Sequence, residues 1–214
     1  MSLRNLIITW KNELSNRNFR ILFIISIISA VVVITSFTNY RIYNEARMGF
    51  TFTDPFQVLF SPIDLTWSTF TLIYGGLFLG IYYFIQKPHV FVHALLTYSI
   101  LVLFRIILMY SLPLDPPLTM ISLRDPFVEL LGSGPPLDKD LFFSGHTATM
   151  FMLFLLSYTS VQKKIFLVGS ILVGLSVVLQ HNHYTVDALV APFIAYASYR
   201  IALHIMNLVI EKTD

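Results

Sequence analysis

Two short stretches carry residues whose types and spacing could do acid–base or nucleophilic chemistry. The first is His181-Asn182-His183-Tyr184-Thr185-Val186-Asp187, at the mouth of a long apolar run. His183 and Asp187 are four apart, so a helix beginning here would stack the carboxylate about one turn from the imidazole. A carboxylate that accepts from one ring nitrogen fixes the tautomer and leaves the other nitrogen's lone pair free. It also stabilises the cation formed on attack. His183 is thereby a candidate base or nucleophile and Asp187 its orienting partner. The second stretch, Phe143-Ser144-Gly145-His146-Thr147, lies some forty residues earlier, where another apolar run begins. Unpaired amides and the positive dipole end of a helix starting at this point favour an oxyanion. Gly145 lets the backbone approach closely, and Ser144 can cap the helix and donate its hydroxyl to a phosphate oxygen. His181 lies two residues from His183 and would point elsewhere on a helix, toward a bound headgroup or into loop packing.

The elements that must position these groups are membrane helices. Of 214 residues, 56% are hydrophobic and only 12% charged, with a mean hydropathy of +0.71. A soluble domain is nearer a quarter charged. The fold expected is an all-α integral membrane protein. The net charge of +2 gives no basis for a nucleic-acid partner, and the absence of cysteine excludes disulfides and thiolate metal sites. Residues 3–20 place Leu3, Leu6, Ile7, Trp10 and Leu14 at helical spacing among Arg4, Lys11 and Arg17, which suits a helix on the membrane surface. Six apolar runs follow, at about 21–38, 66–86, 90–110, 142–161, 164–181 and 186–208. Each approaches the ~20 residues that cross a bilayer as helix. With no repeat or low-complexity linker, residues 1–214 read as a single membrane domain. It comprises an interfacial segment over 1–20 and a six-transmembrane-helix bundle over about 21–208.

Basic residues set the orientation. Arg4, Lys11, Arg17, Arg20, Lys87, Lys163, Lys164, Arg200 and Lys212 fall on one side of a six-span chain, which the positive-inside rule makes cytoplasmic, together with both termini. The other side holds the long loops 39–65 and 111–141, with Glu45, Asp54, Asp64, Asp115, Asp125, Glu129, Asp138 and Asp140. Residues 48–67 of the first loop are dense in aromatics, as at headgroup level. Ser144–Thr147, His181–Asp187 and Arg105 at the outer end of the third run all lie on this non-cytoplasmic side. An intramembrane cation such as Arg105 faces a partner or an anionic ligand, unless it snorkels to the interface. Asp138 and Asp140 form either an acidic pair able to hold a cation or a solvated loop face.

With Asp140, Phe143–Thr147, His181, His183–Thr185 and Asp187 in place, the chain resembles the phosphatidic acid phosphatase type 2 superfamily, and within it the sphingomyelin synthase branch. The segment Arg105-x-x-x-Met109-Tyr110-x-Leu112-Pro113 is similar to an Arg…Met-Tyr…Leu-Pro segment of that branch. The phosphatases' Arg-Pro element is absent. Phe143 stands where they have Pro, and Ser176-Val177 where they have Ser-Arg, departures that the synthases share. The resemblance covers roughly residues 100–200. It implies a lipid headgroup phosphotransferase that moves a phospho-headgroup from a glycerophospholipid to a ceramide-like hydroxyl through a phosphohistidine, without metal or cofactor. The alternative is a lipid phosphatase or phospholipase-C-like hydrolase with water as acceptor. His146, His183 and Asp187 would be catalytic. Arg105, Tyr110, Ser144, Gly145, His181 and Tyr184 would bind the substrate.

Overall fold

Capping side chains set most of the helix boundaries. The computed structural model describes residues 2–124 and 137–210, so Asp125, Glu129 and Lys212 lie outside the described residues. Ser2 accepts from the amide of Asn5 and opens α1 (Leu3–Ser15). Asn16 stops it in extended geometry, then accepts from Asn18 and Phe19 to start α2 (Arg17–Glu45). A single capping residue thus separates α1 from the first long apolar helix. At 29 residues, α2 is about 43 Å long and runs well beyond the expected end at 38. A 3₁₀ turn (Gln57–Leu59), α3 (Thr66–Phe84) and α4 (Pro88–Ser111) follow. Pro88 occupies the first turn of α4, where its missing N–H costs nothing.

The expected run 142–161 is helical over α5 (Gly145–Leu156) and is interrupted before a new helix starts at Ser160. Ser144 caps its start. At its end Ser157 turns extended, and Thr159 and Gln162 form a reciprocal capping box that opens α6 (Ser160–Leu179). Gln162, Lys163 and Lys164, around the break between the runs expected at 142–161 and 164–181, are therefore inside the first turns of α6. Twelve residues rise about 18 Å, short of a ~30 Å hydrocarbon core. The last helix is α7 (Thr185–Ile210). Among the described residues α2, α4, α6 and α7 are long and apolar enough to cross a membrane. α3 has 19 residues, and its first turns carry Thr66, Ser68, Thr69 and Thr71. Among the described residues the regular elements are thus all helical, with several membrane-spanning candidates.

The short α5 is the most enclosed element. Ala148, Met150, Met152, Leu153 and Leu156 are all buried, against α6 and α7 on one side and α3 and α4 on the other. A Cβ at Gly80 would come within 2.9 Å of the Leu153 side chain, so α3 meets α5 there through bare backbone. At the opposite end Phe19, Leu22, Val92, Leu96, Ala202 and Met206 pack α2, α4 and α7 together. Outward-facing Ile24, Ile25, Ile28, Val31 and Val32 of α2 are exposed. In water so continuous an apolar face would drive association, whereas in a bilayer it meets lipid.

The loops close over the end of the bundle where α6 meets α7. Phe50 donates to the Pro113 carbonyl and accepts from Asp115, which ties the loop after α2 to the loop after α4. Fully buried Gln180 accepts from the Leu65 amide and donates to Thr66 Oγ1 and the Ile121 carbonyl. Gln57 Nε2 donates to the carbonyls of Val178 and His183. Two buried amide side chains therefore brace the His181–Tyr184 elbow from both loops.

Candidate active site

The elbow holds His183 just outside α7, and Asp187 in the first turn reaches back over it. Asp187 Oδ2 accepts from His183 Nδ1 at 3.2 Å and from the Tyr184 amide at 3.3 Å. The expected carboxylate–imidazole pair is present, but as the return half of a helix cap and not as two residues of one helix. The Asp187 side chain is 0% exposed and the His183 side chain 3%. With a carboxylate as acceptor, Nδ1 carries the proton and the lone pair resides on Nε2.

The second stretch is locked to the first through the backbone. The Ser144 amide donates to the Asp187 carbonyl at 3.1 Å. Ser144 Oγ accepts from the Thr147 amide at 3.4 Å and from Thr147 Oγ1 at 3.0 Å. Because it accepts both bonds, its own proton remains available to an oxyanion. His146, one residue inside α5, is edge-on to Phe70, and its buried Nδ1 has no hydrogen-bond partner. The Arg105 guanidinium lies directly against Gly145, and a Cβ there would overlap it. A side chain at this position would push the guanidinium away from the start of α5.

Asp140 sits between two arginines. Arg105 Nη2 donates to Oδ1 at 2.5 Å, and Arg41 Nε lies 3.3 Å from Oδ2. Both guanidiniums also face the ring of Phe37. Burial by itself would raise the Asp140 pKa, but Arg105, then Arg41, His183 and His146 outweigh it and hold the carboxyl below its usual range. The same carboxylate thus senses both histidines and both arginines, which places all five groups in one electrostatic cluster. Asp138 points elsewhere and accepts from Ser122. The two aspartates do not act as an acidic pair, and among the described residues no cluster of metal-ligating side chains occurs.

Of the residues singled out in the sequence, Arg105, Asp140, Ser144, Gly145, His146, His183 and Asp187 converge. Tyr110, Tyr184 and His181 do not join them. Tyr110 is 60% exposed at the end of α4, where Arg47 stacks on it. Tyr184 is buried, stacked on Phe52 at 4.0 Å, and its hydroxyl donates to the Asp115 carbonyl. His181 adopts φ 54°, turns away from Asp187, and pairs through Nδ1 with Thr119 Oγ1 at 2.6 Å. Burial lowers its pKa against the opposing pull of Asp54. Its bond to Thr119 ties the elbow to the loop after α4.

Three contributors escaped the sequence reading. Arg41 is one, and Asn44 is another, donating from the same end of α2 to the Lys139 carbonyl. The third is Asp54, which accepts from the Thr185 amide at 2.6 Å and from Thr185 Oγ1. Burial would raise the Asp54 carboxyl, yet bonds from Thr185, Phe56 and Gln57 lower it overall. A helical spacing of Phe37, Arg41, Asn44 and Glu45 was the available signal for the first two. Asp54, in an irregular loop, offered none.

A family model described as PAP2 superfamily C-terminal matches residues 139–205, the span from Lys139 to near the end of α7. The match supports the PAP2 superfamily and covers every converging residue except Arg105 and Arg41. No curated protein and no solved structure matches the chain.

Proposed function

We propose that this chain is a membrane lipid phosphotransferase of the sphingomyelin synthase type, working through a phosphohistidine at His183. The observation that carries the proposal is the buried His183–Asp187 pair, joined by the Ser144–Asp187 backbone bond to the start of α5 and to Arg105. In this reading His183 is the nucleophile, His146 the second imidazole, and Arg105 and Arg41 the cations, all of which act on the same Asp140 carboxylate.

In the first step the His183 Nε2 lone pair attacks the phosphorus of a glycerophospholipid. The P–O bond to the diacylglycerol breaks, and His146, as the imidazolium, gives its proton to the departing oxygen. In the second step an acceptor hydroxyl attacks phosphorus. The N–P bond breaks, and the hydroxyl proton passes to neutral His146. Asp187 stabilises the cation on His183 throughout. Arg105, the Ser144 hydroxyl and the first amides of α5 neutralise charge on the equatorial oxygens as it builds. The converging groups supply nucleophile, acid–base and charge stabilisation from side chains and backbone.

The test is purified protein supplied with headgroup-labelled phospholipid, with and without ceramide. Label appearing on ceramide is the expected result. Label released to solution in both cases would replace the transferase with a hydrolase of the same superfamily, and label remaining on the donor would overturn catalysis altogether.

The catalytic end faces the non-cytoplasmic side in this proposal, because Lys87, Lys163, Lys164 and Arg200 lie toward the other end of the helices. The chain has no cysteine, so single introduced cysteines report cleanly. An impermeant maleimide on intact cells should label position 45 and leave position 163 unlabelled until the membrane is opened. The reverse pattern would invert the orientation.

A further inference from the structure

We infer that the groove between α1, α2 and α4, at the end of the bundle away from the histidines, is a binding site for an anionic phospholipid. α1 is fixed against its neighbours: the Trp10 indole donates to the Ile85 carbonyl at 2.7 Å and meets Phe23 and Phe91 edge-on. Beside it a groove of about 980 Å³ remains open. Its walls are apolar, with Leu6 and Ile7 from α1, Phe23 and Ile27 from α2, and Phe91 and Leu95 from α4. Ile27 lies ten residues beyond Arg17, about 15 Å along the helix and therefore at acyl-chain depth. A soluble peptide or a polar metabolite has no use for such depth, whereas a lipid tail does.

The rim selects the headgroup. The charged residues lining the groove are Lys11 and Arg20, both exposed, and no carboxylate lines it. Arg20 Nη1 donates to the Leu14 carbonyl at 3.2 Å, which holds the guanidinium beside the end of α1 and leaves its other N–H groups for a ligand. The acid of α1, Glu13, is turned to His89 at 2.9 Å. Two cations over an apolar slot, with an indole at the level between them, match a phosphate-bearing head of net negative charge above two acyl chains. The groove shares no residue with the catalytic cluster, and its occupant is a structural or regulatory lipid of the opposite leaflet.

The chain has two tryptophans, Trp10 in the groove and Trp67 at the far end of α3. Trp67→Phe leaves Trp10 as the reporter. The protein is reconstituted in phosphatidylcholine vesicles doped with increasing fractions of phosphatidylglycerol or phosphatidylcholine brominated on the acyl chain. Brominated phosphatidylglycerol should half-quench Trp10 at a roughly tenfold lower mole fraction, in line with two basic groups at a membrane surface. Lys11→Gln with Arg20→Gln should bring the two lipids together, and either change alone should go part of the way. Lys163→Gln with Lys164→Gln should change nothing. Equal quenching by both lipids in the parent protein would overturn the site. An equal loss of selectivity in the Lys163/Lys164 pair would also overturn it, since general surface potential would then explain the preference. Undiminished quenching by brominated phosphatidylcholine shows that the groove is intact in each variant.

Discussion

Replacing His183 with Ala is expected to abolish both half-reactions, with a loss on the order of 10⁶-fold, as for a covalent nucleophile in other hydrolytic sites. No residue stands ready to substitute, since His181 faces Thr119 and Phe60 on the other side of the elbow. His146→Ala should cost less, ~10²–10⁴-fold, because it removes proton transfer and spares bond formation to phosphorus. The two losses also differ in kind. A substrate with an acidic phenol as leaving group needs little protonation, so its phosphoryl transfer to enzyme should survive His146→Ala far better than that of a natural lipid. Asp187→Asn keeps the shape but favours the wrong tautomer, and about 10⁴-fold is expected. Single-turnover labelling with a headgroup-labelled phenolic substrate reads all three variants. Covalent label on His183→Ala, or equal residual activity of His146→Ala on phenolic and lipid substrates, would reverse the assignment.

How much of this was legible in the sequence depended on whether a residue acts through local spacing or through a distant contact. The Asp187–His183 pair and the Ser144 cap are separated by four residues or fewer from their partners, and short-range rules find such pairs. The membrane class followed from composition, and the positions of α3, α4 and α7 followed from apolar runs. The ends of α2 and α5 did not. Hydropathy marks what is apolar: it misses the polar last turns of α2 up to Glu45, and it averages away the Thr159–Gln162 capping box that opens α6 just after α5 ends at Leu156. Because α2 was stopped at 38, Arg41 and Asn44 were read as loop residues and their shared face with Phe37 was lost. Asp54 caps α7 from 131 residues away, a separation at which a single sequence carries no pairing signal. Tyr110 and Tyr184 show the converse case. Both sit inside matching motifs, yet one stacks on Arg47 and the other fills the space beneath Phe52. Motif membership located the elbow and the end of α4 but did not tell which of their side chains face the cluster.

Arg105→Ala should lower turnover by ~10²–10³-fold, the usual cost of removing one fixed donor from a site where negative charge develops. The geometry makes the expectation sharper than a missing cation alone would. Arg105 is the group pressed against Gly145 at the start of α5, and its side chain is only 12% exposed, so it does not snorkel to the interface. Its departure leaves Asp140 to Arg41 alone, and in the proposed reaction the carboxylate, no longer held by two cations, would repel an incoming phosphate. Arg105→Lys should recover only part of the loss. An ammonium cannot grip Asp140 with one arm of a fork and a phosphate oxygen with the other. Arg105→Ala combined with Asp140→Asn separates the two effects: if repulsion by the stranded carboxylate contributes, the double variant should be more active than Arg105→Ala. The readout is kcat and KM for donor lipid in each variant, with thermal unfolding in detergent to verify the fold. Full activity in a folded Arg105→Ala protein would remove this residue from the site, and a double variant no better than the single would confine its role to the phosphate.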